Sequence, residues 1–168
     1  AITKVLIDLS PTSNGFYSLG TDFVASGDFE IEFDYKLNAL TDEHALCGGS
    51  SSTIDLFRVN AETNSMLYRI GGSVYTTTGA YIEDLKLNTA KMKRTGTTIK
   101  IYRNGVEIDS RVIAVVDFSV FDIGKRERFD YFNGVVSNAR LKNTATPANS
   151  LEFKLDQLTA NTETNNGV

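Results

Sequence analysis

Three carboxylates stand at alternating positions in one short stretch, Glu30, Glu32 and Asp34 within FEIEFDYKL. Paired carboxylates are the equipment of glycoside hydrolysis, where acid and nucleophile sit about 5 to 5.5 Å apart in enzymes that retain configuration. The apolar Phe29, Ile31, Phe33, Tyr35 and Leu37 interleave with them, a period of two that makes the stretch a β-strand. A strand rises about 3.3 Å per residue, so without a bulge Glu30 and Asp34 would lie roughly 13 Å apart. That spacing suits a solvated or cross-strand-paired face better than an acid and nucleophile pair. The chain is therefore expected not to be an enzyme, and it also lacks tryptophan, the usual sugar-stacking platform.

The second group with usable chemistry is aromatic and cationic: Tyr68, Arg69, Tyr75, Tyr81 and Tyr102. A sugar offers C–H faces that stack on aromatic rings and hydroxyls that bond to planar polar groups, so exposed tyrosine beside Arg, Asn or Asp is the composition of a glycan groove. These five are the candidate ligand-binding residues. The same tyrosines would also suit cross-strand packing pairs. His44 is the only histidine, which leaves no route to a histidine-based metal site or a Ser-His triad, and Asp42-Glu43-His44 reads as a polar loop. Cys47 is the only cysteine, which excludes an internal disulfide and reads as a small buried hydrophobe. Gly48-Gly49 and Gly71-Gly72 precede no strand-to-helix junction and do not match a phosphate-cradling loop.

The elements that must position these residues are strands. From Lys91 to Ser110 the chain alternates through Ile99 and Ile101, breaks at Asn104-Gly105 and resumes at Val106 and Ile108. Asn-Gly is the dipeptide that most readily takes positive φ at both central positions of a type I′ turn, so this is a β-hairpin. Thr95-Gly96-Thr97 marks a second tight turn and makes a three-strand meander. Further strands are expected over Ala1 to Leu9, Ile54 to Val59, Met66 to Ile70, Ser73 to Thr77, Arg111 to Val116, Ser119 to Ile123 and Asn133 to Leu141. Tyr81 to Leu87 leads into the meander. Pro11 to Gly15 reads as a turn, Asn38 to Ser52 as a loop, and Lys125-Arg126-Glu127-Arg128 as a solvated loop or a contact patch for a partner subunit. Turn residues recur about every 8 to 12 positions with no sustained helical period, the spacing of a β-sandwich or jelly roll.

A chain of 168 residues buries a core without staples. Net charge is −4 and the basic residues are scattered, which argues against nucleic acid as a partner. No apolar run approaches the roughly 20 residues of a membrane-spanning helix. The tail from Thr159 is polar and reads as a linker, so the polypeptide is expected to continue beyond it.

Three segments in order carry a resemblance. Phe29-Ile31-Phe33, then Tyr102-Asn104-Gly105, then Phe121-Ile123-Gly124 followed by Phe132-Gly134-Val135-Asn138-Arg140 resemble the concanavalin A-like lectin and glucanase superfamily, in particular its laminin G-like jelly rolls. The resemblance runs from Phe29 to Leu141 and departs at Ala90, where many members carry tryptophan. It implies an all-β, two-sheet antiparallel β-sandwich over residues 1 to 158; Ser150 to Leu158 reads as an appended strand or a lead-in to something downstream. It also implies glucanase-like use of alternating carboxylates, which the strand geometry disfavours here. Laminin G-like domains often hold calcium at one rim, and Asp117, Asp122 and Asp130 fall near turns. No metal ligand is assigned from them.

The expected function is non-catalytic recognition of a carbohydrate or cell-surface glycan, by a module of a larger secreted, surface or virion protein. The alternative is a structural or decorating domain of a phage virion or surface assembly, binding neighbouring subunits rather than sugar.

Overall fold

A computed structural model describes residues 17–41, 43–50, 55–79, 85–126, 130–132 and 134–159. The strand expected over residues 1 to 9, the turn over 11 to 15, the start of the segment at 81 and the tail from 160 lie outside the described residues.

Among the described residues the elements are β1 (Tyr17–Ala25), β2 (Phe29–Leu37), β3 (Glu43–Gly48), β4 (Leu56–Asn60), β5 (Ser65–Ile70), β6 (Ser73–Thr76), β7 (Asn88–Thr95), β8 (Thr98–Arg103), β9 (Val106–Val112), β10 (Phe118–Ile123), β11 (Lys125–Arg126), β12 (Asp130–Tyr131), β13 (Gly134–Asn143) and β14 (Leu151–Thr159), with one 3-10 turn at Pro147–Asn149. They form two antiparallel six-stranded sheets, ordered β1-β10-β3-β4-β5-β6 and β14-β13-β2-β7-β8-β9, and a two-stranded β11-β12 ribbon. This is the all-β two-sheet sandwich expected from the turn spacing and implied by the resemblance. No helix among the described residues is long and apolar enough to cross a membrane.

The strand with the cleanest alternation sits in the middle of the second sheet, between β13 and β7. Its odd-numbered residues Phe29, Ile31, Phe33, Tyr35 and Leu37 are wholly buried against the first sheet. Phe29 stacks on Phe118 at 6.0 Å between ring centroids, and Phe33 meets Phe57 at 6.4 Å. Each such ring contributes roughly 1.5 to 3 kcal/mol by leaving water, and aromatic pairing adds to it.

The even-numbered residues form a ladder of cross-strand pairs on the outer face. Glu30 pairs with Lys93 at 2.9 Å and Glu32 with Lys91 at 2.9 Å. Arg140 donates from Nε to Glu32 at 2.6 Å and from Nη2 to Asp34 at 2.9 Å. Asp34 also accepts from Thr89 Oγ1 and Asn138 Nδ2, each at 2.8 Å. The lysine beside Glu30 holds that carboxyl below its usual range. Burial pushes Asp34 up, but the donors from Arg140, Thr89 and Asn138 outweigh it and leave its pKa lowered. A carboxyl with a depressed folded-state pKa adds stability that is complete above its unfolded value and lost as pH falls through the folded one. Asp34→Asn is therefore expected to be less stable than the parent at pH 7 and to converge with it as pH falls below the ordinary aspartate range, as urea unfolding at neutral and at acid pH would read.

Several segments differ from the sequence reading, among them Lys125-Arg126, expected in a solvated loop, which forms β11. Residues 43 to 48, expected in a loop, form β3, hydrogen-bonded to β4 and β10. His44, Ala45, Leu46, Cys47 and Gly48 are all buried, because the core lies on one side and the β11-β12 ribbon packs on the strand as well. A strand covered on both faces loses the period-two signal. His44, expected in a polar loop, instead donates its Nε2 proton to the Thr41 carbonyl at 2.7 Å and lies 5.6 Å from the Phe132 ring. β1 was not read at all, since its register to β10 shifts between Ser18 and Phe23 around Gly20, which has φ of +75°. Residues 113 to 116, expected as the end of a strand, are irregular, as is Asp117 after them. Cys47 is fully buried, and burial pushes its thiol far above the ordinary range, so it behaves as the small hydrophobe expected.

Candidate functional site

The turn between β8 and β9 has the type I′ form that Asn-Gly dictates, with φ of +49° at Asn104 and +80° at Gly105. Hairpin tips are ordinarily solvated, but this one is fastened to the start of β7. The Asn104 amide N–H donates to the Thr89 carbonyl at 2.8 Å, and the Thr89 N–H donates to Asn104 Oδ1 at 2.7 Å. Asn104 Nδ2 donates to Asn88 Oδ1 at 2.9 Å, and Arg103 Nη2 donates to that same oxygen at 3.1 Å. Asn88 is 3% exposed and donates its own Nδ2 to the Lys86 carbonyl at 2.9 Å. One buried amide therefore orients both the guanidinium and the turn amide.

Beside this tip lies a cavity of about 420 Å³, lined by Thr78, Gly79, Arg103, Asn104, Val106, Glu107 and Ile108. Its size falls within the roughly 300 to 1,000 Å³ of small-molecule sites. Val106 and Ile108 supply apolar surface, and Arg103 and Asn104 supply polar groups, while the register sets the Glu107 carboxylate on the outer face of the sheet with Tyr102. Glu107 also pairs with Lys100 at 2.9 Å, with both side chains 41% exposed. Val106 is 65% exposed, so the cavity opens to solvent.

The five residues singled out in the sequence are dispersed. Tyr68 is wholly buried and donates its hydroxyl to Asp109 Oδ2 at 3.2 Å. Burial and then the Asp109 charge push its pKa far up. Tyr75 stacks on it at 5.2 Å, and the Arg111 guanidinium lies 5.7 Å from the Tyr75 ring centroid. Arg111 also bonds to Asp109 at 2.8 Å and to the Thr76 carbonyl at 2.8 Å. This cluster fastens the edge strands β6 and β9 of the two sheets to each other. Arg69 alternates with the buried Tyr68 and Ile70 and is half-buried on the opposite side of β5. Tyr102 is half-buried on the outer face of the second sheet, with Lys91 Nζ 5.9 Å from its ring centroid. Tyr81 lies outside the described residues. None of the described four lines the cavity.

Among the described residues, no three His, Cys, Asp or Glu side chains come together to hold a metal. Asp117 precedes β10 and Asp122 lies within it, about 16 Å apart at the rise of a strand, and Asp122 is buried with its carboxyl pushed up by that burial. These two do not fit the clustered oxygen ligands that calcium requires. Asp130 lies on β12, its side chain outside the described residues.

No protein-family model and no curated protein matches the chain. Solved structures do share its architecture. A provisionally named carbohydrate binding protein from Bacteroides ovatus aligns with a TM-score of 0.60 at 17% identity, over 86% of this chain and 40% of that one. The Ruminococcus gnavus IT-sialidase CBM40 aligns at 0.56 with 16% identity, over 70% of this chain and 76% of that one. The same CBM40 bound to alpha2,3 sialyllactose aligns at 0.57 with 16% identity, over the same shares of the two chains. This chain thus spans less than half the length of the Bacteroides protein. At such identities the likeness is one of fold, a two-sheet jelly-roll β-sandwich.

Proposed function

We propose that the protein is a non-catalytic carbohydrate-recognition module, and that it holds its ligand in the cavity at the β8-β9 tip. The observation that carries this reading is the fastened tip. Asn88, a buried side chain with no solvent role, holds Arg103 and Asn104 in place on the wall of an open cavity, and preorganised polar groups bind without a further ordering cost. The mixture on the wall suits a sugar ring, with hydroxyls for the guanidinium and amide and C–H groups for Val106 and Ile108. The fold agrees with the reading, since jelly rolls of this kind include the carbohydrate-binding modules named above. A glycan ligand accords with a secreted or surface setting within a larger protein. The carboxylates Glu30, Glu32 and Asp34 are engaged by Lys93, Lys91 and Arg140, and this reading gives them no part in binding or chemistry.

Asn104→Gly makes a sharp test. Glycine accepts the left-handed φ of the turn but cannot bond to Thr89 N–H or Asn88, so stability is expected to fall by about 1 to 2 kcal/mol while retention on a glycan array is lost. Arg103→Ala is expected to weaken binding at least about tenfold, the equivalent of roughly 1.4 kcal/mol. Arrays unchanged by both substitutions would remove the cavity from the account.

A further inference from the structure

We propose that Asn104 is a deamidation site held in check by the fastened tip, and that its conversion to aspartate or isoaspartate switches the cavity off; the second half rests on the reading above. Asn-Gly is the dipeptide in which this chemistry runs most readily, because glycine puts no side chain in the way of ring closure. The Gly105 nitrogen, having lost its proton to base, attacks Asn104 Cγ. The new C–N bond closes a succinimide, and the Cγ–Nδ2 bond breaks to release ammonia. Water then opens the ring at either carbonyl, leaving aspartate or isoaspartate with no change of oxidation state. Asn104 and Gly105 are both exposed. Apart from its chain neighbours, nothing lies within 4 Å of a Cβ placed on Gly105, so water and base reach the turn.

The restraint lies in the Asn104 side chain. Ring closure needs Cγ to swing onto the Gly105 nitrogen, yet both polar atoms of that amide are already taken on β7. Oδ1 accepts from the Thr89 N–H at 2.7 Å, and Nδ2 donates to Asn88 Oδ1 at 2.9 Å. The first partner is backbone and cannot follow the moving side chain, and the second is a buried side chain, 3% exposed. Losing both bonds on the approach slows the reaction by at least about tenfold. The products are not accommodated either. Aspartate at 104 still accepts from Thr89 but turns a second acceptor on Asn88 Oδ1. Asn88 does not escape by turning its amide, because that oxygen also accepts from Arg103 Nη2 and its nitrogen donates to the Lys86 carbonyl. Isoaspartate adds a carbon to the main chain, which breaks the two-residue turn. Either product therefore unfastens the tip and disturbs the oxygen that orients Arg103.

The test is peptide mapping by mass spectrometry of the whole protein aged at mildly alkaline pH, folded and in guanidinium chloride. Asn-Gly also occurs at Asn14-Gly15, Asn133-Gly134 and Asn166-Gly167, so in denaturant the pairs share one local chemistry and calibrate one another. Asn104 is expected to keep pace with the others there, and to deamidate at least about tenfold more slowly in the folded protein than in the unfolded chain. Asn88→Ala, shown by its melting curve to be folded at the ageing temperature, is expected to raise the folded rate at Asn104 about threefold or more. Equal rates at Asn104 in the folded and unfolded parent would overturn the restraint, a comparison that needs no variant. A folded Asn88→Ala that ages no faster than the parent would overturn the part given to Asn88. Asn104→Asp reproduces one product and is expected to lose retention on the glycan array. Retention equal to the parent's would overturn the switch while leaving recognition intact. An array on which the folded parent itself finds nothing would overturn the recognition reading and the switch with it, with the restraint still read from the rates.

Discussion

Gly134→Ala is expected to lower stability by about 3 kcal/mol, at the upper end of ordinary overpacking costs, and to depress the melting temperature by roughly 6 to 12 °C. β13 starts at Gly134, paired with Leu37 on β2. A Cβ there would stand 2.0 Å from the Lys36 carbonyl oxygen and 2.8 Å from the Phe132 ring. The first neighbour is backbone in the central strand of the sheet, so it cannot swing aside as a side-chain end would. Gly20 supplies the control. It has φ of +75° but nothing within 4 Å of the added atom, so Gly20→Ala is expected to cost only about 1 kcal/mol of backbone strain. Equal shifts in the two melting curves would show that φ rather than contact decides, and would contradict the placement of β13 against β2.

Arg94→Met is expected to cost about 3 kcal/mol, the scale of breaking a buried charged network. Arg94 is 1% exposed. Its guanidinium donates to the Val116 carbonyl and, at 3.1 Å, to the Ala114 carbonyl, and lies 5.4 Å from the centroid of Phe29. It therefore fixes the irregular segment 113–117 over one end of the core, and methionine leaves two carbonyls without their donor. The loss also has a pH signature. Asp55 is buried and its pKa is raised, by burial first and also by the charge of Asp117, while the Ser119 and Gly71 amides and the Arg94 charge oppose the rise. Without Arg94 it rises further. A carboxyl whose folded pKa lies above its unfolded value binds a proton on folding, so the folded state gains as pH falls through that value. The deficit of Arg94→Met should accordingly be largest at pH 7 and shrink toward about pH 4, near the unfolded value of an aspartate. A deficit that does not change with pH would separate Asp55 from this network.

The sandwich was legible because its central elements carry complete local signals. FEIEFDYKL alternates without interruption and became β2 over those same residues, and Asn104-Gly105 took the turn its dipeptide favours. β3 escaped because HALCG is covered on both faces and its glycines imitate a loop, and β1 because a bulge around Gly20 breaks its alternation. The candidate site was harder to read for a different reason. Tyrosine is informative only when it is exposed, and the core of the sandwich takes Tyr68 whole. The residues of the fastened tip are ordinary polar ones, and only register brings them together. Even so, a two-residue turn at Gly96-Thr97 pairs Thr95 with Thr98 and then Ala90 with Arg103, which sets Thr89 and Asn88 beside Asn104. Counting back along the meander would have placed that amide next to the hairpin tip before any coordinates were known.

The most direct test of recognition at this cavity is a titration of the 15N-labelled protein with the glycan that an array selects, followed by amide chemical shifts. The account predicts saturable shifts concentrated at Thr78, Gly79 and residues 103 to 108, with Asn88 and Thr89 responding through their bonds to the tip, and no such shifts in Asn104→Gly. Saturable shifts centred on the outer face of the second sheet, around Tyr102, Lys91 and Arg140, would contradict it and move the site to the charged ladder.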